Sequence, residues 1–319
     1  MQTTRRFAAL VTVLGLALAA CSSGASPTPA APASVAPSVA APSTAASAAA
    51  SAAPSVAASA TPIAGGLLDL VTKAGTIRVS TDPNYAPQSV QNPDGSYSGF
   101  DIDVATEIAK RMGLKVAFIT PSWDTITSGS WGGRWDMSVG SMTITTDRQK
   151  VVDFSPPYYY TPAQFAASKV SGITTIDGFA GKTVCAGAST TYYDWLTGKK
   201  LDFGTLSPTT TPPAGVKAVT QKTDADCAQL WAAGRNDWQG WLTAGPTVEQ
   251  AIKQNQPVVK VGAPVYFEPL AVALDKSGPN DADFLAKLTQ IVKDMHADGT
   301  LTTMSKKWYG LDLTSGPGQ

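Results

Sequence analysis

From residue 67 onward, short apolar runs alternate with segments in which apolar residues recur at helical spacing. The run TIRVST, over 76–81, predicts a strand, and DIDVATEIAKRMG, over 101–113, predicts a helix that begins at Asp101 and stops at Gly113. The remaining predicted strands lie over 114–120, 135–144, 150–160, 182–189 and 269–276, and the remaining predicted helices over 190–197, 227–234, 249–254 and 281–310. Strands that alternate with helices predict an α/β fold in which helices cover the sheets.

The first 20 residues show a different pattern. Arg5 and Arg6 form a basic start, and the apolar run over 7–20 is too short to span a bilayer comfortably. The run ends in LAAC, and small residues before Cys21 resemble the lipobox of bacterial lipoproteins, in which the cysteine becomes the lipidated N-terminus. We therefore predict a signal peptide over 1–20 and lipidation of Cys21. The alternatives are a plain secretory signal with a chance cysteine and, for the export route, a twin-arginine signal.

Ala, Ser, Pro and Thr fill the segment that follows, which has almost no charge and no large side chains. Such a composition cannot bury a core, so residues 21–66 are predicted to be a disordered tether with the lipid on its first residue. As a flexible coil this tether would reach on the order of 40 Å. After residue 20 no apolar run approaches the roughly 18 residues of a membrane-spanning helix. The tether would therefore hold a folded body near the membrane.

Composition and charge exclude several function classes. The chain has 319 residues, and its 24 basic and 24 acidic side chains give a formal net charge of zero. A neutral chain offers no electrostatic case for nucleic acid, which needs a basic face. His296 is the single histidine, so no Ser-His-Asp triad is available unless this residue serves, and no multi-histidine metal site can form. We predict neither a metal nor a cofactor.

Two of the three cysteines lie beyond the predicted lipidation site. Cys185 and Cys227 are an even pair in an exported protein, so a disulfide between them is the default expectation. Two buried free thiols and a redox pair are the alternatives, although the cysteines of a redox pair are usually closer in sequence. A disulfide here would stabilise the folded protein by roughly 4 kcal/mol according to loop entropy.

Several motifs occur together and in one order: STDPNYAP, DGSYSGFDIDVATEIAKRMG, SWDTI, WDMSVGSMTITTDRQKVVDFSPPYYY, GKTVCAGASTT and HADGTLTTMSKKWYG. Over about 75–311 this set resembles the extracellular solute-binding proteins of family 3, the receptors of polar amino-acid ABC importers. The resemblance implies a two-lobed α/β fold of the periplasmic-binding-protein type (type II), with mixed sheets flanked by helices and a hinge of two strands. It places lobe 1 over 67–166 and 265–314 and lobe 2 over 167–264.

The same resemblance implies a set of ligand-binding residues. Arg148 matches the arginine that binds the ligand α-carboxylate. A planar, permanently charged guanidinium suits this task, because it can donate two parallel hydrogen bonds to one carboxylate. Ser141 and Thr143 match small residues beside it. Thr190 and Thr191 match the pair at a helix start in lobe 2 that takes the other side of the carboxylate. From spacing alone, Arg148 would instead be a surface charge after a helix cap.

Three further residues match positions around the ligand side chain. Tyr85 and Trp123 match aromatic residues that flank it, since flat rings accept many side chains. Core packing is the alternative for both. Asp82 matches an acidic position that meets a cationic side chain in some receptors of the family. Gln88 stands where an aromatic is usual and is expected to make that end of the pocket more polar.

The chain departs from the family pattern in lobe 2. Family members usually carry an aspartate some residues after the segment that reads AAGRNDW here, and that acid pairs with the ligand ammonium. It is absent from this sequence. A buried ammonium without a carboxylate would be costly. We therefore hypothesise that Glu268, beside the predicted hinge, replaces it, or that Trp241 offers a cation–π face to a modified amine.

The function that these expectations describe is capture of an amino acid or related small carboxylate for an ABC permease. The protein would be exported, lipid-anchored on the outer face of the cytoplasmic membrane and monomeric, and it would not be an enzyme. One alternative is a dehydratase on the same fold, of the cyclohexadienyl or arogenate type, which needs a general acid such as Asp82 or Glu268 beside the arginine. A sensory domain is the other alternative.

Overall fold

The computed structural model describes residues 63–317. The predicted signal peptide, Cys21 and the tether up to residue 62 lie outside the described residues. The backbone N–H of Ile63 donates a hydrogen bond to the Asp283 carboxylate at 2.6 Å, and the backbone N–H of Gly66 donates to the Ile63 carbonyl at 2.8 Å. The folded body therefore includes residues 63–66, whereas the sequence placed its start at Leu67.

Eight helices and twelve strands are present among the described residues, and they include the helices and strands predicted above. The helices are α1 (Leu67–Ala74), α2 (Phe100–Met112), α3 (Trp123–Thr127), α4 (Thr191–Leu196), α5 (Asp224–Ala232), α6 (Gly245–Lys253), α7 (Ala282–Ala297) and α8 (Thr300–Tyr309). The strands are β1 (Thr76–Ser80), β2 (Asn84–Tyr85), β3 (Ser89–Gln91), β4 (Tyr97–Ser98), β5 (Lys115–Ile119), β6 (Met137–Thr143), β7 (Val152–Phe154), β8 (Tyr159–Ser168), β9 (Thr183–Gly187), β10 (Lys217–Gln221), β11 (Gly240–Ala244) and β12 (Val258–Asp275).

The strands form a nine-stranded mixed sheet and a small antiparallel sheet of three strands. The order in the large sheet is β10-β9-β11-β8-β12-β6-β1-β5, and β7 pairs with β12 off this path. Within it β1 runs parallel to β5 and β6, and β9 runs parallel to β10 and β11. β8 and β12 join these two parallel groups through antiparallel pairs. The small sheet has the order β2-β3-β4.

Each parallel group has its own hydrophobic core, which makes the fold two-lobed as predicted. In lobe 1 the apolar stripe of α2 buries Phe100 and Ile108 against Phe284 and Leu288 of α7. In lobe 2 the cores contain side chains from β8, β9 and β11 and from α4 to α6. Burial of such side chains is the main stabilising contribution on each side. The α/β class with a mixed sheet flanked by helices is therefore confirmed, while the exact lobe boundaries stay a prediction.

β8 and β12 are the two long strands that pass between the lobes. They pair antiparallel from Val258 to Leu270 on β12, and the register shifts between Val261 and Tyr266. An irregularity of this kind bends a strand pair locally. The two strands are thus the natural place for a hinge. The sequence found only the last part of β12, because its first half mixes apolar, charged and glycine residues.

The predicted disulfide is confirmed. Cys185 of β9 is bonded to Cys227 of α5, with their Cα atoms 5.9 Å apart. Both side chains lie in a lobe 2 core cluster together with Trp231, Trp238 and Trp241. The bond therefore fixes α5 against the sheet. Among residues 63–317, no helix has both the length and the apolar character that crossing a bilayer requires.

Candidate ligand-binding cleft

A cavity between the lobes collects the residues that the sequence singled out. All nine predicted ligand residues line it: Asp82, Tyr85, Trp123, Ser141, Thr143, Arg148, Thr190, Thr191 and Glu268. Seven further residues complete the lining: Gly140, Gly187, Ala188, Tyr192, Lys222, Thr223 and Asp224. Clefts between lobes are where small-molecule sites concentrate. The cavity is therefore the candidate functional site, and the ligand roles of its residues stay predictions.

Arg148 is held from both lobes. It begins a short 3₁₀ turn, Arg148–Lys150, and its backbone N–H donates to Oγ1 of Thr145 at 3.1 Å, so the cap expected from spacing alone is also present. Its guanidinium donates to the carbonyl of Thr143 in lobe 1 at 3.1 Å and to the carbonyl of Ser189 in lobe 2 at 3.1 Å. Burial lowers the pKa of this guanidinium, and the charge of Glu268 opposes that shift. Its remaining donors can face the cavity.

The guanidinium of Arg148 also lies over the Trp123 ring, 5.5 Å from the centroid. The Trp123 indole N–H donates to the same Ser189 carbonyl at 3.2 Å. This carbonyl therefore accepts from two lobe 1 side chains. Ser189 has a φ of 60°, in the left-handed region where glycine is usual. The serine thus adopts the turn that a glycine would favour, at a cost in backbone strain.

Ser141, on β6, lines the cavity and also has a positive φ, at 56°. Its hydroxyl donates to the Asp101 carboxylate at 2.8 Å, and its backbone N–H donates to the Tyr158 hydroxyl at 3.0 Å. Tyr158 in turn donates to Asp101 at 2.8 Å. Burial raises the pKa of Asp101 to about 7. Asp101 lies in the first turn of α2 as predicted, although the N-cap is Gly99, and its carboxylate supports Ser141 from behind.

Glu268 lies on the hinge strand β12 and is 1% exposed. The Thr143 hydroxyl of lobe 1 donates to its Oε1 at 2.9 Å, and the Thr191 hydroxyl of lobe 2 donates to the same oxygen. Burial raises the pKa of this carboxyl, and the hydroxyl donors and Arg148 oppose the shift. Glu268 therefore already has donors from both lobes.

Thr190 is the N-cap of α4 in lobe 2. Its Oγ1 accepts from the backbone N–H of Tyr193 at 3.2 Å and donates to the Gly187 carbonyl at 2.7 Å. A hydroxyl in this position satisfies a free helix N–H, which is why threonine is favoured there. Capping thus accounts for Thr190 fully, while Thr191 is turned toward Glu268.

Asp82 and Tyr85 also form part of the cavity wall. Asp82 accepts from the backbone N–H of Asn84 at 2.7 Å, and burial raises its pKa to about 6. Tyr85 lies on β2 in lobe 1, but its ring packs in the lobe 2 core cluster that contains Tyr192 and Tyr266. It therefore contributes both to the wall of the cavity and to the contact between the lobes.

Two interpretations of the sequence are corrected by the structure. Trp241 is fully buried in the cluster around the disulfide and does not line the cavity, so it offers no cation–π face to a ligand. Gln88 does not line the cavity either. Its side-chain amide donates to the Thr247 hydroxyl of α6 at 3.2 Å. It therefore joins the lobes rather than making the pocket more polar.

Other polar pairs also cross between the lobes. The Asn84 and Gln229 side-chain amides donate to each other at 3.3 and 3.0 Å, and Lys199 lies 3.1 Å from Asp147. Together with the contacts of Ser189, these pairs surround the cavity. The structure thus shows the lobes closed on each other.

Asp224 is the acidic cavity residue that sequence reasoning missed. It is the first residue of α5, and its carboxylate accepts from the backbone N–H of Gly187 at 2.7 Å. Burial raises its pKa to about 8, and the nearby charges of Asp82 and Glu268 act in the same direction. The available signals were the Thr223 cap before it and Gly187 after the conspicuous Cys185. Neither alone places the two segments together, whereas the predicted disulfide between Cys185 and Cys227 does.

Comparison with known proteins agrees with this geometry. The model of the bacterial extracellular solute-binding proteins, family 3, matches residues 77–311. The chain belongs to this family. The L-cystine-binding protein TcyJ of Escherichia coli (strain K12) is 29% identical over 251 residues, which are 78% of this chain and 88% of the relative.

Two solved structures share the fold closely. The ancestral amino acid-binding protein AncCDT-1, a precursor of cyclohexadienyl dehydratase, superposes with a TM-score of 0.64 at 30% identity and covers 76% of this chain and 99% of its own. An ancestral arginine-binding protein bound to arginine gives a TM-score of 0.63 at 29% identity, over 74% of this chain and 99% of its own. The type II periplasmic-binding-protein fold is therefore confirmed.

Proposed function

We propose that this solute-binding protein is the extracytoplasmic receptor of an ABC importer and binds an amino acid or related small carboxylate in the cleft. The observation that carries the proposal is Arg148, which is held between the lobes in a cavity that is also lined by the carboxylates of Asp82, Asp224 and Glu268. A cavity lined by both a cation and acids suits a zwitterion. The similarity to the L-cystine-binding protein TcyJ and to ancestral amino acid-binding and arginine-binding proteins supports this ligand class.

In this proposal, Arg148 binds the ligand carboxylate through the donors that the Thr143 and Ser189 carbonyls leave free. Two hydrogen bonds from one guanidinium to one carboxylate are both stronger and more selective than a point charge. Ser141, Thr143, Thr190 and Thr191 surround this position with hydroxyl and backbone groups. Tyr85 and Trp123 flank the ligand side chain, and Asp82 and Glu268 complete the polar wall.

Closure of the lobes around the ligand would signal to the permease that the receptor is loaded. Arg148 and Trp123 from lobe 1 meet the Ser189 carbonyl of lobe 2, so a ligand beside Arg148 is enclosed by both lobes. The hinge strands β8 and β12 allow this motion without rearrangement of either core. A permease that recognises both lobes at once would then distinguish loaded from empty receptor.

Anchoring completes the proposal. The signal peptide over 1–20 directs export, Cys21 carries the lipid, residues 21–62 form the tether, and the body works as a monomer beside its permease on the outer face of the membrane. Expression of the full chain and of Cys21→Ser, followed by membrane fractionation, tests this. The wild type is expected in the membrane fraction and the variant in the soluble exported fraction. Equal membrane association of both would contradict lipidation.

The ligand class is tested by a thermal-shift screen of residues 63–319 against the twenty standard L-amino acids, L-cystine and matched carboxylic acids. A ligand at 100 times its Kd should add about 2.7 kcal/mol to the free energy of unfolding. At least one amino acid is expected to do so. Absence of any shift would contradict the proposal. Incubation with prephenate and arogenate tests the dehydratase alternative, and formation of an aromatic product would support it instead.

A further inference from the structure

We propose that Asp224 is the carboxylate of lobe 2 that binds the ligand's ammonium group. The inference rests on the proposed function and assigns a specificity-determining residue within that site. β11 ends at Ala244, and the helix that follows begins with Gly245 and Pro246, so this part of lobe 2 supplies no acid. Asp224 reaches the cavity from a different element, the N-terminus of α5.

The position of Asp224 is built by its neighbours. The side chain is 5% exposed and lines the cavity, and its Oδ1 accepts from the Gly187 backbone N–H at 2.7 Å. A Cβ on Gly187 would lie 2.9 Å from the same oxygen, so only glycine permits this approach. The disulfide joins the same two elements, since Cys185 lies two residues before Gly187 and Cys227 one turn after Asp224.

Helix capping does not explain the residue. Thr223 and Asp226 form a reciprocal capping box at the start of α5, and the Asp226 carboxylate accepts from the Thr223 backbone N–H at 2.9 Å. This arrangement already satisfies the first free groups of the helix. Asp224 is thus an additional acid in the same turn, and it is directed at the cavity.

The charge of Asp224 lacks a partner within the protein. Among the residues that the structure describes, it forms no ion pair, and the acids that face the same cavity, Asp82 and Glu268, repel it. A buried carboxylate without a cation is costly. A bound ammonium would remove that cost, and the ligand would bridge the lobes because Arg148 holds its carboxylate from lobe 1.

The two other acids of the cavity are less suited. Glu268 accepts from the hydroxyls of Thr143 and Thr191 on one oxygen and lies under the field of Arg148. A ligand ammonium placed at Glu268 would therefore compete with donors already present. Asp82 is only partly buried, accepts from Asn84, and feels the charge of exposed Lys222. Its carboxylate is accordingly closer to solvent than that of Asp224.

Calorimetry with paired ligands tests the assignment. The probes are L-arginine with 5-guanidinopentanoic acid and L-cystine with 3,3′-dithiodipropionic acid, or the tightest amino acid of the screen with the acid that lacks its amino group. The variant is Asp224→Asn, which keeps an oxygen for the Gly187 N–H but loses the charge. The matched control is Asp226→Asn, two residues further along the same helix turn. Asp82→Asn and Glu268→Gln test the competing acids.

We expect Asp224→Asn to weaken the amino acid by about 100-fold and to change the deamino acid by less than about 3-fold. Asp226→Asn should affect both members of a pair equally. Equal loss for both ligands in Asp224→Asn would overturn the inference, because a merely structural role predicts that result. Selective loss in Glu268→Gln or Asp82→Asn instead would also overturn it. If the wild type binds no amino acid at all, the proposed function fails, and the assignment of Asp224 falls with it.

Discussion

The two ends of the cleft are built in different ways. At the Arg148 end, Ser141, Thr143 and Arg148 all come from one stretch of chain, β6 and the turn after it. At the Asp224 end, Gly187 and Asp224 come from β9 and α5, which are 37 residues apart and joined by a disulfide. The first end depends on local sequence, and the second depends on tertiary packing.

This difference has a consequence for binding. The Arg148 guanidinium bonds to backbone carbonyls of both lobes, so its position is fixed mainly when the lobes are closed. The Asp224 carboxylate bonds within lobe 2 alone, and the disulfide holds it there in open and closed states alike. Lobe 2 is thus the preorganised partner, and a ligand bound there first would present its carboxylate to lobe 1.

Replacement of Arg148 should have the largest effect. Arg148→Ala removes the cation at the predicted carboxylate position and leaves Glu268 without its charge partner. We expect amino-acid affinity to fall by about 1000-fold, and Arg148→Lys to recover little of it if two parallel hydrogen bonds are needed. Calorimetry with the tightest amino acid of the screen measures both. Near wild-type affinity in the lysine variant would show that charge alone is sufficient.

Loss of the disulfide should be next, and it should act on the Asp224 end. Cys185→Ser with Cys227→Ser is expected to lower the free energy of unfolding by about 4 kcal/mol, as loop entropy predicts for a separation of 42 residues. Urea denaturation measures this loss.

The same double variant should reduce the preference for an amino acid over its deamino acid, because α5 is no longer fixed against β9. The wild-type protein with its disulfide reduced serves as the control, because it lacks the bond but has none of the packing changes that the serines introduce. An unchanged preference with lowered stability would mean that packing alone positions Asp224.

The two ends also differ in how far the sequence predicts them. The order of motifs predicted the fold and placed nine residues on one cavity, because each motif is contiguous and its elements follow from apolar spacing. Asp224 was missed although the predicted disulfide joins its helix to the strand that carries Gly187, because nothing local indicates that the start of α5 faces the cavity. The interpretation of Trp241 was wrong because β11 is buried at all five positions, which the sequence around it does not indicate.

The pH dependence should separate the two ends further. Burial raises the pKa of Asp224 to about 8, whereas Arg148 stays charged throughout. Because an ammonium favours the ionised carboxylate, binding near neutral pH should release a proton. Amino-acid affinity should then rise up to about tenfold per pH unit from pH 6.5 toward 8 and level off above it.

Calorimetry at several pH values, in two buffers of different ionisation enthalpy, measures both the rise and the released proton. Asp224→Asn should remove the rise toward pH 8, while Asp82 and Asp101, with pKa values of about 6 and about 7, still titrate in both proteins. Glu268 is the remaining acid of the cavity. It is present in both proteins, so its contribution to the pH dependence of affinity is the same in each. A rise that persists in Asp224→Asn would assign the proton to another group.

The smallest effects are expected at two serines, one from each lobe, that share a left-handed backbone. The backbone φ is 56° at Ser141 and 60° at Ser189. Ser189 has an exposed side chain, and only its carbonyl is used, so Ser189→Gly should relieve strain and raise the free energy of unfolding by about 0.5–1 kcal/mol. Ser141→Gly relieves similar strain but removes a hydrogen bond to buried Asp101, so it should lower that energy by about 1–2 kcal/mol. Urea denaturation measures both, with Ser189→Ala, which keeps the strain, as the control. A gain in Ser141→Gly would show that Asp101 does not need its serine donor.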